Sequence, residues 1–309
     1  MRIAHFSDIH VTHSPFREGG IHGKRLVGTF NRVLGGRGRH FAAVDQRIKA
    51  LLADIDGQDV QHAICTGDVT QMSYPSEFEA VAAIFGEKRL SNPSFFTVLP
   101  GNHDRYTTKA AEHQFFEEHF GALCEDGTFP FLKRIGPSTQ FIGLDVARAC
   151  SLLDSSGICG VSQLAALEKQ LDNVDREKDL LVVGLHYGLL TVDGIPDKPR
   201  HGLRDAPALL EALLRPGRGA DVVLHGHLHQ AYSHYVALED GAPKKVASKE
   251  GLLEICAGSA TDLHKSCTYH ILEISEDQGA VQIETRAFQD GTYQAIKEEI
   301  LPLARSSMT

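Results

Sequence analysis

No stretch of this chain is apolar over the ~20 residues that a bilayer-spanning helix needs, which excludes an integral helical membrane protein from the first reading. Basic charge is not in excess either. Thirty-one Lys and Arg stand against 40 Asp and Glu, for a net charge of −9 and an isoelectric point near 6.0. Bulk nucleic-acid binding wants a basic surface, so it is not expected, although a nucleotide remains open as a substrate. Six cysteines, at 65, 124, 150, 159, 256 and 267, show no Cys-x-x-Cys spacing. Several lie in or beside apolar runs, as Cys65 and Cys256 do, and read as packing residues of a reducing compartment. Internal repeats, low-complexity tracts and long linkers are missing, so the 309 residues read as one domain, 1–309. A secretion leader is not expected, because Asp8 and His10 would be lost with it. The expected location is the cytoplasm, with contact at the inner face of a membrane left open and the oligomeric state not readable.

What is present is a set of metal-binding side chains in five short clusters. They are Asp8 and His10, Asp68, Asn102, His186, and His227 and His229. Two carboxylates, one amide carbonyl and four imidazoles form a hard-to-borderline donor set without thiolate. It suits two divalent or trivalent transition ions, Mn, Fe or Zn, with Mn the ion expected to support activity. Seven donors are too many for one tetrahedral ion. If Asp68 bridges, each of two ions has four protein ligands and room for water. Such a pair, about 3.5–4 Å apart, generates hydroxide near neutral pH and clamps a phosphoryl group.

Each cluster follows a short apolar or partly apolar run: Ile3 to Phe6, Val60 to Cys65, Phe95 to Leu99, Leu180 to Leu185, and Val222 to Leu224. These read as buried strands, so the donors sit where strands end, the ligand-binding edge of α/β sheets. The i, i+2 spacing of Asp8 with His10 and of His227 with His229 would aim each pair one way in an extended segment. Helical spacing predicts helices over Phe41–Ile55, Pro75–Leu90, Thr107–Phe120, Ser162–Leu171 and Asp205–Leu214. After residue 229, Gln230–Leu238, Leu252–Ala257, Thr268–Ile274 and Ala280–Phe288 read as strands, suggesting a second, mostly antiparallel sheet. His225 also forms a His-x-His pair with His227; it is expected to support the donors or to pack. Core or surface roles are the default for His5, His62 and His270, and His13, His22, His40 and His201 lie in loops.

The ordered motifs Asp-x-His, Gly-Asp, Gly-Asn-His-Asp, a lone His and Gly-His-x-His, over residues 8–229, resemble the calcineurin-like metallophosphoesterase superfamily. The resemblance implies an α/β (mixed α+β) fold, a four-layer αββα sandwich of two mixed sheets flanked by helices, with a dinuclear site at the strand ends. It implies one ion on Asp8, His10, Asp68 and His229, and a second on Asp68, Asn102, His186 and His227. His103 would stand by the phosphate, as transition-state stabiliser or proton donor titrating near neutrality, with Asp104 to orient it. The implied reaction is hydrolysis of a phosphodiester by hydroxide held on the metals. The expected partner is a phosphate-containing small molecule, a nucleotide or lipid-linked nucleotide.

Two insertions are expected to carry substrate choice. A basic amphipathic lid at about 14–40 contains Lys24 and Arg25, with a helix over Lys24–Leu34. It reads as a gate for an anionic substrate, a face for anionic lipid, or a packed lid. The second, Tyr187–Arg204, carries Lys198, Arg200, His201 and Arg204; Arg204 is a candidate phosphate grip or a structural salt bridge. Bacterial cyclic-nucleotide phosphodiesterases are similar in pattern, which makes a 3',5'-cyclic nucleotide such as cAMP the first substrate choice. A UDP-2,3-diacylglucosamine pyrophosphatase of lipid A synthesis is similar in two stretches, Lys24-Arg25-Leu26-Val27-Gly28 and Leu203-Arg204-Asp205. Tyr187-Gly188 departs from the His-Pro-Pro of many relatives. A non-catalytic scaffold with the same fold is the reading from a different class.

Overall fold

The computed structural model describes residues 1–12, 43–151, 154–247, 251–265, 267–275 and 277–304. The lid insertion at 14–40, with Arg25 and the helix expected over Lys24–Leu34, lies outside the described residues, as do His13, His22 and His40. The described elements run β1 (Arg2–Phe6), α1 (Val44–Asp56), β2 (His62–Cys65), α2 (Pro75–Phe85), α3 (Glu87–Leu90), β3 (Phe96–Val98), α4 (Thr108–Glu112) and α5 (Phe115–Phe120). There follow β4 (Phe131–Gly136), β5 (Thr139–Gly143), α6 (Val161–Asp172), β6 (Leu180–Gly184), α7 (Ala206–Leu213) and β7 (Val222–His225). The chain continues with β8 (Ala231–Glu239), β9 (Ala242–Val246), β10 (Leu252–Ala257), β11 (Thr268–Ile274), β12 (Ala280–Gln289) and β13 (Thr292–Pro302).

Two mixed sheets result, ordered β13-β12-β11-β1-β2-β3 and β4-β5-β6-β7-β10-β8-β9. The expected two-sheet architecture holds, but the strands after residue 229 do not make a sheet of their own. β11 pairs antiparallel with β1 and β10 pairs parallel with β7. The C-terminal strands therefore divide between both sheets, completing each beside its parallel block. β1, β2 and β3 run parallel, as do β5, β6 and β7, so the ends that carry the donors open toward one edge.

Alternation along the strands builds two cores. Leu180 and Val182 of β6 belong to the cluster shared with β1, β2 and α1, while Leu181 and Val183 pack with Leu167, Leu171, Leu209, Leu210 and Leu213 of α6 and α7. The stretch expected as one helix over Pro75–Leu90 breaks into α2 and α3 at Gly86, whose N–H donates to Ala82 O. Thr107–Phe120 likewise breaks at His113 and Gln114. His5, His62 and His270 are core residues, held by Thr66 Oγ1 at 3.1 Å, Thr97 Oγ1 at 2.7 Å and Cys256 O at 3.0 Å. All six cysteines are free, and five are buried. Among the described residues no helix is long and apolar enough to cross a membrane.

Helix α1 is pinned to the first sheet by Asp54. Its carboxylate accepts from Arg286 Nε at 2.6 Å, Arg286 Nη2 at 2.9 Å and Tyr269 Oη at 2.5 Å. Asp54→Ala should therefore lower unfolding stability by about 2–3 kcal/mol in urea titration, and Tyr269→Phe by about 1 kcal/mol.

Candidate metal centre

The chain leaves β1, β2 and β7 in a sharp reversal rather than an extended run. Asp8, His10, Asp68, His227 and His229 all carry positive φ, at 55°, 45°, 54°, 70° and 57°. The i, i+2 pairs thus converge through alternating left-handed residues and not through a strand pleat, which is the geometry the spacing suggested. Hydrogen bonds hold the reversal open: Asp8 N donates to Gly67 O at 3.0 Å and His10 N to Asp68 O at 3.0 Å. Ser259 Oγ donates to Asp8 O at 2.7 Å and Thr261 Oγ1 to Ile9 O at 2.9 Å. Gly101 is required for close approach, since a Cβ there would lie 2.2 Å from Asp68 Oδ1.

The structure brings all seven expected donors together. In one half, His229 Nε2 lies 3.3 Å from Asp8 Oδ1 and 3.0 Å from His10 Nε2. In the other, Asn102 Oδ1 lies 2.9 Å from His227 Nδ1 and 3.1 Å from His186 Nε2. Asp68 Oδ2 stands between them, 3.7 Å from His10 Nε2 and 3.3 Å from His186 Nε2. Within this cluster, Asp8, His10 and His229 form one group that could hold an ion, and Asp8, Asp68 and His186 another.

The outer faces of three of the four rings explain which nitrogen points inward. His186 Nδ1 donates to Thr66 O at 2.8 Å, His229 Nδ1 to Asp262 Oδ2 at 2.9 Å, and His227 Nε2 to His201 O at 3.1 Å. Such partners fix the ring and leave the other nitrogen for a metal. The residues fit a cation. Asp8 Oδ1 is buried with no hydrogen-bond donor, and the His227 Nδ1 lone pair faces the Asn102 carbonyl oxygen, an acceptor set against an acceptor.

Protonation follows the same geometry. Burial opposes charge on His186, yet the Asp68 carboxylate raises its pKa to about 9. Burial likewise opposes charge on His229, and the hydrogen bond to Asp262, with the negative charge of Asp8 close by, raises it to about 9. Without a metal, protons occupy the inner nitrogens where an ion would bind. His227 goes the other way: burial and the neighbouring His186 and His201 hold it well below the ordinary value.

His103 is half-buried beside this cluster. Its Nδ1 donates to Gln71 O at 2.6 Å, His10 meets it edge-on at 4.7 Å, and Tyr106 stacks on it at 5.3 Å. Burial lowers its pKa to about 4, despite the opposing charge of Asp68. Asp104 does not orient the ring. It accepts from Gly101 N at 2.9 Å, Val69 N at 3.2 Å, Thr70 N at 2.8 Å and Thr70 Oγ1 at 2.9 Å. It ties the two donor loops together, and Gln71 O does the orienting.

Arg204 is committed to Asp154 Oδ2 at 2.6 Å and Ser156 Oγ at 2.8 Å. That is the structural bridge rather than the phosphate grip, with Asp154 as partner. His225 stays out of the donor cluster, fully buried 3.2 Å from Glu254 Oε1. Three participants were missed. Asp262 has no motif spacing; its only signal is an acid shortly after a strand end. Gln71 acts through its backbone carbonyl, which sequence hides. His201 was noted only as a loop histidine, but it receives His227 and is held by Asp197 Oδ2 at 2.6 Å.

Comparison with known proteins agrees with the fold. A model of the calcineurin-like phosphoesterases matches residues 1–231. The structure is similar to a purple acid phosphatase from yellow lupin (Lupinus luteus) seeds, with a TM-score of 0.63 and 14% identity over 97% of this chain and 53% of the other. The chain thus spans about half of the lupin protein. It is also similar to a dimetal phosphatase from Danio rerio, with a TM-score of 0.61 and 12% identity over 97% of this chain and 98% of the other. No curated protein matches its sequence.

Two outcomes are expected. Asp262→Asn should weaken Mn binding at the His229 half by about 10–100-fold, with the other half unchanged in calorimetric titration. Metal binding near pH 7.5 should release protons from His186 and His229, whose pKa values are raised to about 9. Apparent affinity should therefore climb with pH and flatten above about 9; calorimetry in buffers of different ionisation enthalpy counts the protons.

Proposed function

Because the chain belongs to the calcineurin-like phosphoesterases, a family of metal-dependent phosphoester hydrolases, we propose that it hydrolyses a phosphodiester, with a 3',5'-cyclic nucleotide as substrate and Mn as the supporting ion. The observation that carries the hydrolytic reading is the placement of Asp68 Oδ2 between two groups of inward-facing donors. When bound, two ions supply positive charge to polarise the phosphoryl group and lower the pKa of a water.

The chain's own residues do the rest. Asp8, His10 and His229 hold one side of the site, Asn102, His186 and His227 the other, and Asp68 joins them. Gln71 O takes His103 Nδ1, so Nε2 is the nitrogen left for substrate. An anionic phosphate there favours the imidazolium that burial disfavours. The ring then takes up a proton with the substrate and gives it to the leaving oxygen.

A diester is preferred to a monoester on charge. Among the described residues, Arg105 is engaged with Glu117 and Asp145, Arg148 with Asp154 and Ser156, and Arg204 with Asp154 and Ser156. A singly charged diester needs fewer cations than a dianion. Of the two stretches behind the lipid-linked nucleotide reading, one lies among the described residues. Within Leu203-Arg204-Asp205, Asp205 accepts from Cys159 N and Gly160 N at 2.9 and 2.8 Å, and Arg204 is bridged. The intact donor set argues against a non-catalytic scaffold.

With Mn added, turnover of bis-p-nitrophenyl phosphate should exceed that of p-nitrophenyl phosphate, and Asn102→Ala should lower kcat/KM at least 100-fold. Preference for the monoester would sink the diester assignment. Cyclic AMP hydrolysis, followed by release of the nucleoside monophosphate, then tests the nucleotide.

A further inference from the structure

We propose that Glu254 is a positioning residue for one half of the centre, that of Asn102, His186 and His227, and has no part in placing Asp8, His10 and His229. The inference rests on the two-ion reading above. Glu254 lies on β10, beneath the loop that follows His186, and is fully buried. A buried carboxylate is costly unless its partners are specific. Its Oε1 accepts from Leu189 N at 2.5 Å and lies 3.4 Å from Leu190 N and 3.2 Å from His225 Nε2. The grip is close because Gly188 passes directly over His225; a Cβ there would sit 2.7 Å from His225 Cε1.

Two neighbours on β8 extend this hold on the loop. Tyr232 Oη donates to Leu190 O at 2.5 Å, and His234 Nε2 donates to Val192 O at 3.0 Å. What the loop carries is the reason the hold matters. The Tyr187 ring packs against both imidazoles of this half, 4.4 Å from His227 and 5.3 Å from His186. Farther along, His201 receives His227 Nε2. Both ring donors of this half are thus braced by a segment that Glu254 anchors. The other half is braced by Ser259, Thr261 and Asp262.

The selectivity is the testable content. Calorimetric titration of the full chain with MnCl2 should find two sites in the wild type. Glu254→Ala should keep one of them and weaken the other at least tenfold. Glu254→Gln, which retains an acceptor for Leu189 N–H, should recover most of that loss. Asp54→Ala serves as the control for stability alone, because it loosens α1 far from the loop, and should keep both sites. Should Glu254→Ala fail to fold, Tyr232→Phe removes one hold on Leu190 and should weaken the same site about threefold. Wild-type affinity at both sites in Glu254→Ala, or in Tyr232→Phe where that variant must serve, would overturn the proposal, as would equal loss at both. A wild type that takes up no Mn would overturn the two-ion reading, and the inference with it.

Discussion

Left-handed backbone at five of the seven donors is the constraint on which the rest of the structure depends. Each such residue costs of order 1–3 kcal/mol and persists only where its surroundings over-determine it. Here they do. The Asp104 carboxylate ties the Gly101 turn to Val69 and Thr70, Ser259 and Thr261 hold the Asp8 turn, and His227 N donates to Asp8 Oδ2 at 2.9 Å. The two sheets bring the strand ends to one edge, and these buried hydrogen bonds keep the reversals from relaxing into ordinary turns.

The same bonds set the electrostatics. The outer ring nitrogens of His186, His227 and His229 are spent on a carbonyl or a carboxylate, so inner lone pairs and carboxylate oxygens converge with too few hydrogens to pair them. A proton or a cation must enter, and His186 and His229 hold protons tightly for that reason. Nearby arginines are neutralised by Glu117, Asp145 and Asp154. These ion pairs offset the positive charge of those arginines.

The donors were legible in the sequence because each sits after a short apolar strand, and identity and order survive without knowledge of the turn. What was hidden is whatever acts through backbone or distant partners. Gln71 contributes a carbonyl, Asp262 comes from an unremarkable Thr-Asp, and Asp104 looked like a partner of its neighbour when it in fact bonds across to another loop. The fold was read less completely after residue 229. β13 spans Ala, Lys, Glu and Leu, residues that favour helix on their own, and pairing with β12 overrides that preference. β4 is not legible because Lys133 and Arg134 interrupt the apolar alternation.

The strand that carries Asp8 and His10 lies between β2 and β11, and β11 begins at Thr268. On the ribosome, β1 is therefore made before both neighbours and gains the second only after Thr268 has emerged. Ser259, Thr261 and Asp262 arrive with that same late segment. A nascent chain has the early donors long before it has the bonds that aim them, and the loop closure needed to join the ends is among the longest in the molecule. The geometry of the early donors thus depends on residues placed about 250 positions later, since Ser259 and Thr261 bond to the carbonyls of Asp8 and Ile9.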